Sequence, residues 1–346
     1  MSAALSTTTW PRRKMDILSF AASAVLLSLL LLALDYAKDR GLLTASHQSL
    51  ANKIIVITGA AGGLGRALAL EFARRGAILA LWDVRADALD EVFEWLTRTH
   101  NVAPSAVRRT VVDVADRRAV ERAAAELAHA CGAVRVLVNN AAIVCGDALL
   151  AGSSADSLER TLRVNIEGAF WVVRALAAPM LAAGGGTVVT VGSVVAQLPS
   201  ARLADYCASK AALGMLHACL RWELRGAPRG DTVRCLLVQP YLLDTPLFAG
   251  GAPGLFPRVL AFVLPPLSAA EVARRVVLGV QTGQERLVLP YILRWAPLVL
   301  ELLPTAAADA LLTLAGARGE PMRGFRGRGE AEWAAMGAAQ FRRPFS

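Results

Sequence analysis

Lysine is rare in this chain of 346 residues: it occurs four times among 37 basic residues, and arginine supplies the rest. The net charge of +9 invites a nucleic-acid ligand, but the sequence has no aromatic-basic recognition motif and no zinc or other metal-ligand spacing. We therefore expect neither a nucleic-acid partner nor a bound metal. Because arginine is the usual cation here, a lysine on a helix indicates a specific need for an ammonium group.

Paired cysteines and internal repeats are also absent. The five cysteines are odd in number and show no paired spacing, which favours reduced thiols in a compartment exposed to the cytosol. A chain of this length without repeats can bury one large core, so we expect one main domain.

Short apolar runs alternate with helical stretches along the chain. This alternation predicts an α/β fold, a doubly wound parallel sheet with helices on both faces. The predicted strands cover residues 53–58, 77–83, 107–113, 134–138, 186–192, 231–238 and 285–289.

A glycine-rich turn follows the first predicted strand. Gly59, Gly63 and Gly65 come directly after the β-branched apolar run, and a helical pattern extends from about Leu64 to Arg75. This order places a helix N-terminus, with its unpaired N–H groups, where it can hold a pyrophosphate. The spacing Gly-x-x-x-Gly-x-Gly differs from the commonest dinucleotide fingerprint, so a glycine loop without a ligand stays the alternative.

An acidic residue ends the second predicted strand. Asp83 lies 24 positions after Gly59, close to where a carboxylate accepts a hydrogen bond from a ribose 2′-hydroxyl and repels a 2′-phosphate. This position favours NAD as the cofactor. Arg85 keeps NADP as the less favoured alternative, and an ordinary strand-end acid is the other.

A tyrosine and a lysine share one face of a predicted helix over residues 204–225. Tyr206 and Lys210 are four positions apart. A phenol with a pKa of about 10 is a poor base at neutral pH, and a nearby cation favours its ionised form, so the pair can move a proton. Ser193 ends the fifth strand, where open α/β sheets bind ligands, and can donate to a substrate oxygen. A surface pair and a turn serine are the alternatives.

These motifs together resemble the short-chain dehydrogenase/reductase superfamily over about residues 51–290. The resemblance implies a Rossmann fold, an NAD(P) cofactor and hydride transfer. The resemblance implies that Tyr206 is the general acid/base. It also implies that Lys210 lowers the pKa of the Tyr206 phenol and binds the nicotinamide ribose. It has Ser193 orient a carbonyl and Asn165 hold a water for proton relay. The cofactor-binding residues that it implies are Thr58, Gly59, Gly63, Leu64, Gly65, Asp83, Asp113, Val114, Asn139, Ala141, Tyr206, Lys210, Pro240 and Thr245.

Two matched segments depart from the family pattern. Alanine replaces the last glycine in Asn139–Ala142, and the usual Pro-Gly is Pro240-Tyr241. The stretch from Pro240 to Phe248 is similar to the membrane-anchored branch that contains retinol dehydrogenases, retinal reductases and some hydroxysteroid dehydrogenases. That branch implies interconversion of an apolar alcohol and its aldehyde or ketone: retinol and retinal, a steroid or another lipid. An NADP-dependent carbonyl reductase and a non-catalytic cofactor-binding protein at a membrane or lipid-droplet surface stay open.

An uncharged, mostly apolar run of 18 residues, 17–34, precedes the domain. As a helix it would be about 27 Å long, just enough to cross a hydrocarbon core, and no good signal-cleavage site follows it. We therefore expect a membrane anchor and linker over residues 1–50, at the endoplasmic reticulum or a lipid droplet, with the catalytic domain in the cytosol. Basic residues near both chain ends favour anionic lipid headgroups. The positive-inside count does not fix the orientation, and a helix lying in one leaflet is the alternative.

The catalytic domain is predicted over residues 51–316, and a basic tail that we expect to be disordered over 317–346. Within the domain, residues 255–267 and 287–314 are unusually apolar. The first stretch fits a lid over a lipid-like substrate, and core packing or a dimer contact is the alternative for both. The resemblance leaves open a homodimer formed through the helices that carry Asn165 and Tyr206.

Overall fold

The fold is that of a computed structural model, which describes residues 47–146, 148–150, 155–248 and 264–318 and six isolated helical positions between 26 and 37. The chain divides into two compact units, Met1–Thr44 and Ala45–Ser346. All elements named below belong to the second unit. Most of the predicted anchor helix, nearly all of the basic tail and most of the apolar stretch 255–267 lie outside the described residues.

Seven parallel strands form one sheet in the order β3-β2-β1-β4-β5-β6-β7. The predicted doubly wound sheet and all seven predicted strands are confirmed. The strand order reverses between β1 and β4, and ligands bind above the carboxyl ends of the strands at such a reversal. The strands are β1 Ile54–Thr58, β2 Ile78–Asp83, β3 Val107–Val111, β4 Val134–Asn139, β5 Gly186–Val191, β6 Val233–Pro240 and β7 Arg286–Leu289.

Helices connect the strands and cover both faces of the sheet. Shorter helical turns occupy Trp95–Thr99, Pro104–Ala106, Arg163–Glu167, Val194–Ala196, Gly230–Thr232, Pro246–Phe248 and Tyr291–Arg294. The α-helices of the described domain are α1 Gly63–Ala73, α2 Ala86–Glu94, α3 Arg117–Cys131, α4 Ala155–Leu162, α5 Gly168–Ala182, α6 Ala204–Gly226, α7 Ala269–Thr282, α8 Ala296–Leu302 and α9 Thr305–Leu314.

The sheet is buried on both faces, which explains why its central strands are continuously apolar. Side chains alternate between the faces along β1: Ile55 and Ile57 pack with α1, α2 and α7 residues, whereas Ile54 and Val56 pack with α3 and α5 residues. The two cores therefore fix the register of β1, and with it the position of the glycine turn that follows.

One stretch of the described chain, Ala155–Ala182, is long and apolar enough to cross a membrane. It consists of α4, the turn Arg163–Glu167 and α5. The inner face of α5 belongs to the core, because Val172, Leu176 and Met180 are buried beside residues of the sheet. Length and composition alone therefore do not make this stretch a membrane span.

A buried histidine joins α6 to the sheet. His217 Nδ1 lies 2.9 Å from Thr190 Oγ1 on β5. Burial, and then the charge of Arg221, lowers the pKa of His217 to about 4. The neutral imidazole is therefore the form that this packing stabilises.

We predict that the free energy of unfolding falls as the pH drops from 6.5 to 4. In the unfolded chain His217 takes up a proton near its ordinary pKa of about 6.5, whereas in the folded chain it does so only near pH 4. The stability that is present above pH 6.5 is therefore lost as the pH falls to 4, and the loss is about 3 kcal/mol. Denaturant titrations at a series of pH values measure the loss. His217→Asn has no titrating ring and should lose less over this range; an equal loss in the variant would contradict the assignment.

Candidate active site

A cavity of about 760 Å³ opens at the carboxyl edge of the sheet. It extends from the glycine turn after β1, past the ends of β2 and β4, to the loops that follow β5 and β6. All predicted site residues line it except Thr58, Asn139 and Asn165, which lie behind its wall. The chain thus brings the two halves of the predicted site, the glycine turn and the Tyr206 face of α6, into one space.

The glycine turn is shaped so that only glycine fits at two of its positions. Gly59 has a φ of +63°, and a Cβ there would lie 2.8 Å from Ala141 Cα. A Cβ on Gly65 would lie 2.2 Å from the Gly59 carbonyl oxygen. The N-terminus of α1 therefore borders the cavity directly. No side chain at these two positions separates its N–H groups from the space that an anionic ligand would occupy.

Thr58 holds this turn against the segment that follows β4. Its Oγ1 accepts hydrogen bonds from the backbone N–H groups of Asn140 and Ala141, both at 3.0 Å. The Asn140 side chain donates back to the carbonyl oxygens of Thr58 at 2.8 Å and Gly59 at 3.2 Å. Asn139 points away, donating to Ala169 O on α5 at 3.2 Å. Thr58 and Asn139 therefore position the wall rather than line the cavity.

The Asp83 carboxylate is buried at the end of the cavity formed by β2. Its Oδ2 accepts from Ala61 N–H at 3.0 Å, and its Oδ1 accepts from Arg85 N and Nε at 3.1 and 3.3 Å. Two carboxylate oxygens provide about four acceptor positions, so Asp83 retains capacity for a ribose hydroxyl. The same carboxylate also braces the glycine turn through Ala61.

Two arginines line the cavity beside Asp83. Arg66 Nε donates to Ala61 O at 2.9 Å, and its Nη2 lies 3.3 Å from Glu91 Oε2. Burial lowers the pKa of Arg66, although the Glu91 carboxylate opposes that shift. The sequence prediction identified Arg85 here and missed Arg66, whose position is one residue past Gly65 on the first turn of α1.

Tyr206 and Lys210 project from α6 into the opposite end of the cavity. Both side chains are buried, and Lys210 Nζ lies 5.5 Å from the centroid of the Tyr206 ring. Lys210 Nζ donates to Val191 O at the end of β5, at 3.0 Å. The ammonium group is thus fixed to the sheet edge, facing the same space as the phenol.

The electrostatics of this pair differ from the sequence prediction. The sequence predicts that Lys210 lowers the pKa of Tyr206. In the structure burial is the largest influence on this pKa, and burial raises it. The charge of Cys207 adds to the rise, and a hydrogen bond with Ser193 opposes it. Burial also lowers the pKa of Lys210, to about 8. Both side chains are buried, so the loss of hydration is the largest influence on the pKa of each group. The folded protein therefore keeps Tyr206 protonated.

Ser193 sits between the phenol and the loop after β6. Its Oγ donates to Pro240 O at 3.3 Å and accepts from Val195 N–H at 3.4 Å. A hydroxyl can turn towards another acceptor at small cost, so Ser193 is placed to donate to a substrate oxygen near Tyr206.

Asn165 lies in a π-helical turn, Arg163–Glu167, between α4 and α5. Its amide is fully engaged: Oδ1 accepts from Ile143 N–H at 2.8 Å, and Nδ2 donates to Ile143 O and to Ser209 Oγ, both at 3.0 Å. Ser209 Oγ in turn donates to Tyr206 O at 2.8 Å. Asn165 therefore ties the β4 loop to α6, and its role in a water relay stays a prediction. The π turn itself was not predicted.

The Tyr206 end of the cavity is mostly apolar. Phe248 packs edge-on against the Tyr206 ring, with centroids 5.9 Å apart, and Leu243 and Leu247 line the same region. Tyr241 replaces the glycine expected from the family pattern and also lines the cavity. The arrangement can hold an apolar molecule whose one polar group reaches Ser193 and Tyr206.

Comparisons with known proteins agree with this geometry. A family model described as short chain dehydrogenase matches residues 53–252. Human retinol dehydrogenase 10 is 32% identical over 302 residues, covering 81% of this chain and 87% of its own. Retinol dehydrogenase 10-A of Danio rerio is 30% identical over 304 residues, covering 82% and 88%.

Solved structures with the same fold contain nicotinamide dinucleotides. A short chain dehydrogenase/reductase from Burkholderia phymatum in complex with NAD is 26% identical, with a TM-score of 0.63 over 76% of this chain and 96% of its own. L-sorbose reductase from Gluconobacter frateurii, complexed with NADPH and L-sorbose, is 25% identical, with a TM-score of 0.61 over 70% and 96%. Relatives of both cofactor types share the fold, so the comparisons support NAD or NADP without choosing between them.

The cavity geometry, the family model and the relatives agree. The chain belongs to the short-chain dehydrogenase/reductase family, in the branch of the retinol dehydrogenases, and is an NAD(P)-dependent oxidoreductase of alcohols and carbonyl compounds.

Proposed function

We propose that this protein interconverts an apolar alcohol and its aldehyde or ketone with NAD as cofactor, and that retinol and retinal are its substrate pair. The observation that carries the proposal is the single cavity into which the glycine turn, Asp83, Ser193, Tyr206 and Lys210 all open. The relatives named retinol dehydrogenases and the apolar lining around Phe248 support the substrate class. Steroids and other lipid alcohols are also compatible with this apolar lining.

The proposed proton transfer runs through Tyr206. A bound nicotinamide dinucleotide supplies the hydride in reduction and accepts it in oxidation. In reduction, Ser193 donates a hydrogen bond to the carbonyl oxygen, and Tyr206 gives its phenolic proton to that oxygen as the carbon gains the hydride. Lys210, held at Val191 O, stabilises the phenolate that remains. Oxidation is the reverse, with Tyr206 taking the hydroxyl proton.

The cofactor proposal rests on the end of the cavity at Asp83. The N-terminus of α1 would hold the pyrophosphate, and the Asp83 carboxylate would accept the ribose hydroxyl and repel a 2′-phosphate. NADP is the second candidate, because Arg66 and Arg85 line the cavity beside Asp83. The Asp83 carboxylate is buried and accepts a hydrogen bond from Ala61 N–H of the turn, which is why we place NAD first.

We also propose that the protein works at a membrane, at the endoplasmic reticulum or a lipid droplet, with this domain in the cytosol. The uncharged run over residues 17–34 is the basis for an anchor, and the free cysteines suit a reducing compartment. A substrate with the apolarity that the cavity lining favours would be dissolved in the same bilayer.

Tyr206→Phe is predicted to lower kcat/KM by about 10²–10⁴-fold, because it removes the proton that the reaction needs and leaves the packing against Phe248 in place. NADH binding, followed by the fluorescence of the dinucleotide, should change by no more than about twofold. Tyr241→Phe is the matched control, since it removes the other phenol of the cavity. Equal losses in turnover and NADH binding for Tyr206→Phe would indicate a structural role instead.

Asp83→Asn is predicted to weaken NAD binding about tenfold or more and to leave NADP binding unchanged or improved. The amide keeps an acceptor for Ala61 N–H, but it loses the charge that strengthens the ribose contact. Calorimetric titration with both dinucleotides measures the difference. Asp87→Asn removes an exposed charge from the same cavity rim and serves as the control. Parallel weakening of NAD and NADP by Asp83→Asn would refute the assignment.

The pH dependence of carbonyl reduction is predicted to follow Lys210. Its pKa of about 8 means that the ammonium is present below that pH and is lost above it. We expect kcat/KM for reduction to be highest below pH 8 and to fall as the pH rises through 8, since neutral lysine no longer stabilises the phenolate. Lys210→Arg keeps its charge throughout and should move the decline to higher pH. A decline at the same pH in both proteins would exclude Lys210 as its source.

A further inference from the structure

The helix α8 exposes a narrow stripe of apolar side chains. Leu298, Val299 and Leu302 are 50%, 49% and 76% exposed. Successive residues are about 100° apart on a helix, so these three, together with Trp295 one turn earlier, fall on one side. No residue of α8 is buried. A core helix would turn this stripe inward, whereas here it faces outward.

The next helix repeats the pattern. Two residues separate α9 from α8, and α9 exposes Leu311 and Leu314, three positions apart on one face. Asp309 lies on a different side of the same helix. α9 also has no buried residue. We call the exposed apolar side chains of both helices and of the preceding turn the α8–α9 face: Ile292, Leu298, Val299, Leu302, Leu311 and Leu314.

The α8–α9 face is tied at both ends to the edge of the sheet where the cavity opens. The turn before α8 follows the carboxyl end of β7, and Leu289 O in that strand accepts from Tyr241 N–H at 2.7 Å. After α9, Ala317 O accepts from Ala201 N–H at 2.7 Å, in the loop that leads to α6. Tyr241 lines the cavity and α6 carries Tyr206, so the face and the cavity share one edge of the domain.

We propose that the α8–α9 face is a docking surface for the surface of a lipid bilayer, and that it places the cavity edge against the membrane from which the substrate enters. This inference rests on the proposed function, because it assumes an apolar substrate. Exposed apolar surface beyond scattered single residues marks a contact site. A helix that lies in the interface buries an apolar side of this kind among the acyl chains and headgroups.

The composition and charge of this region favour lipid over a protein partner. The side chains of the α8–α9 face are aliphatic, and the exposed acids Glu301 and Asp309 lie on other sides of the helices. The cores of protein interfaces are enriched in Tyr, Trp, Phe, Met and Arg, none of which occurs in the face, although Trp295 borders it. Trp295 provides the amphipathic ring typical of the headgroup level. Arg318 is exposed four residues after α9 ends. Over residues 291–328 the five arginines outnumber the three acids, and the whole chain carries +9, so an anionic bilayer is the complementary surface.

The first test locates the contact in the full-length protein. The chain is reconstituted in phosphatidylcholine vesicles, with and without phosphatidylserine, that contain a photoactivatable lipid, and cross-linked peptides are identified by mass spectrometry. We expect lipid adducts on residues 291–318, with more of them when phosphatidylserine is present. Lipid adducts confined to residues 17–34, with none on residues 291–318, would overturn the proposal.

The second test uses the paired variant Leu298→Ser, Leu302→Ser and the control Met215→Ser, which replaces a side chain that is 66% exposed on α6. The pair should lose most of the lipid adducts and raise the KM for retinal in vesicles about tenfold, while kcat and the KM for retinal in detergent stay within about twofold. The control should match the unmodified protein. An unchanged KM in vesicles, or an equal rise in detergent, would refute the proposal. If the unmodified protein reduces no retinal in either form, the proposed substrate fails while the cross-linking result still decides the docking surface.

Discussion

A continuous series of buried hydrogen bonds joins the glycine turn to the helix that carries Tyr206. Thr58 accepts from the segment 140–143, that segment exchanges two hydrogen bonds with Asn165, Asn165 donates to Ser209, and Ser209 donates to the carbonyl of Tyr206. Each link is buried or partly buried, where an unpaired polar group costs about 1–3 kcal/mol. The distance between the cofactor turn and the phenol is therefore fixed by polar contacts as well as by packing.

The enclosure that this network maintains also sets the charges of the site. Burial raises the pKa of Tyr206 and lowers that of Lys210 to about 8, so the fold favours a neutral phenol and weakens the hold of lysine on its proton. A protonated Tyr206 is the form that a general acid needs. In the proposed reaction this form would supply the proton for carbonyl reduction, and oxidation would require additional positive charge near the phenol to favour the phenolate.

The sequence predicted the sheet well because its strands are buried on both faces and carry an unbroken apolar signal. It also predicted many residues that line the cavity, since the motifs occur where parallel strands end, although Thr58, Asn139 and Asn165 lie behind the wall. Local pattern could not reveal Asn140, Ser209 or Arg66, because their importance comes from contacts across the fold. The predicted lowering of the Tyr206 pKa was wrong for a related reason. Residue spacing shows that a lysine is near the phenol, but it does not show how deeply the fold buries both groups.

In the proposed reaction, a bound dinucleotide exchanges hydride with the carbonyl carbon of an apolar substrate, and Tyr206 supplies the proton. The most direct measurement uses retinal in vesicles and NADH that carries deuterium at the transferable position of the nicotinamide. We expect retinol with one deuterium on the former carbonyl carbon, formed about 10²–10⁴-fold more slowly by the Tyr206→Phe protein under the same conditions. Retinol without deuterium, or no product while NADH is bound, would contradict the proposed reaction.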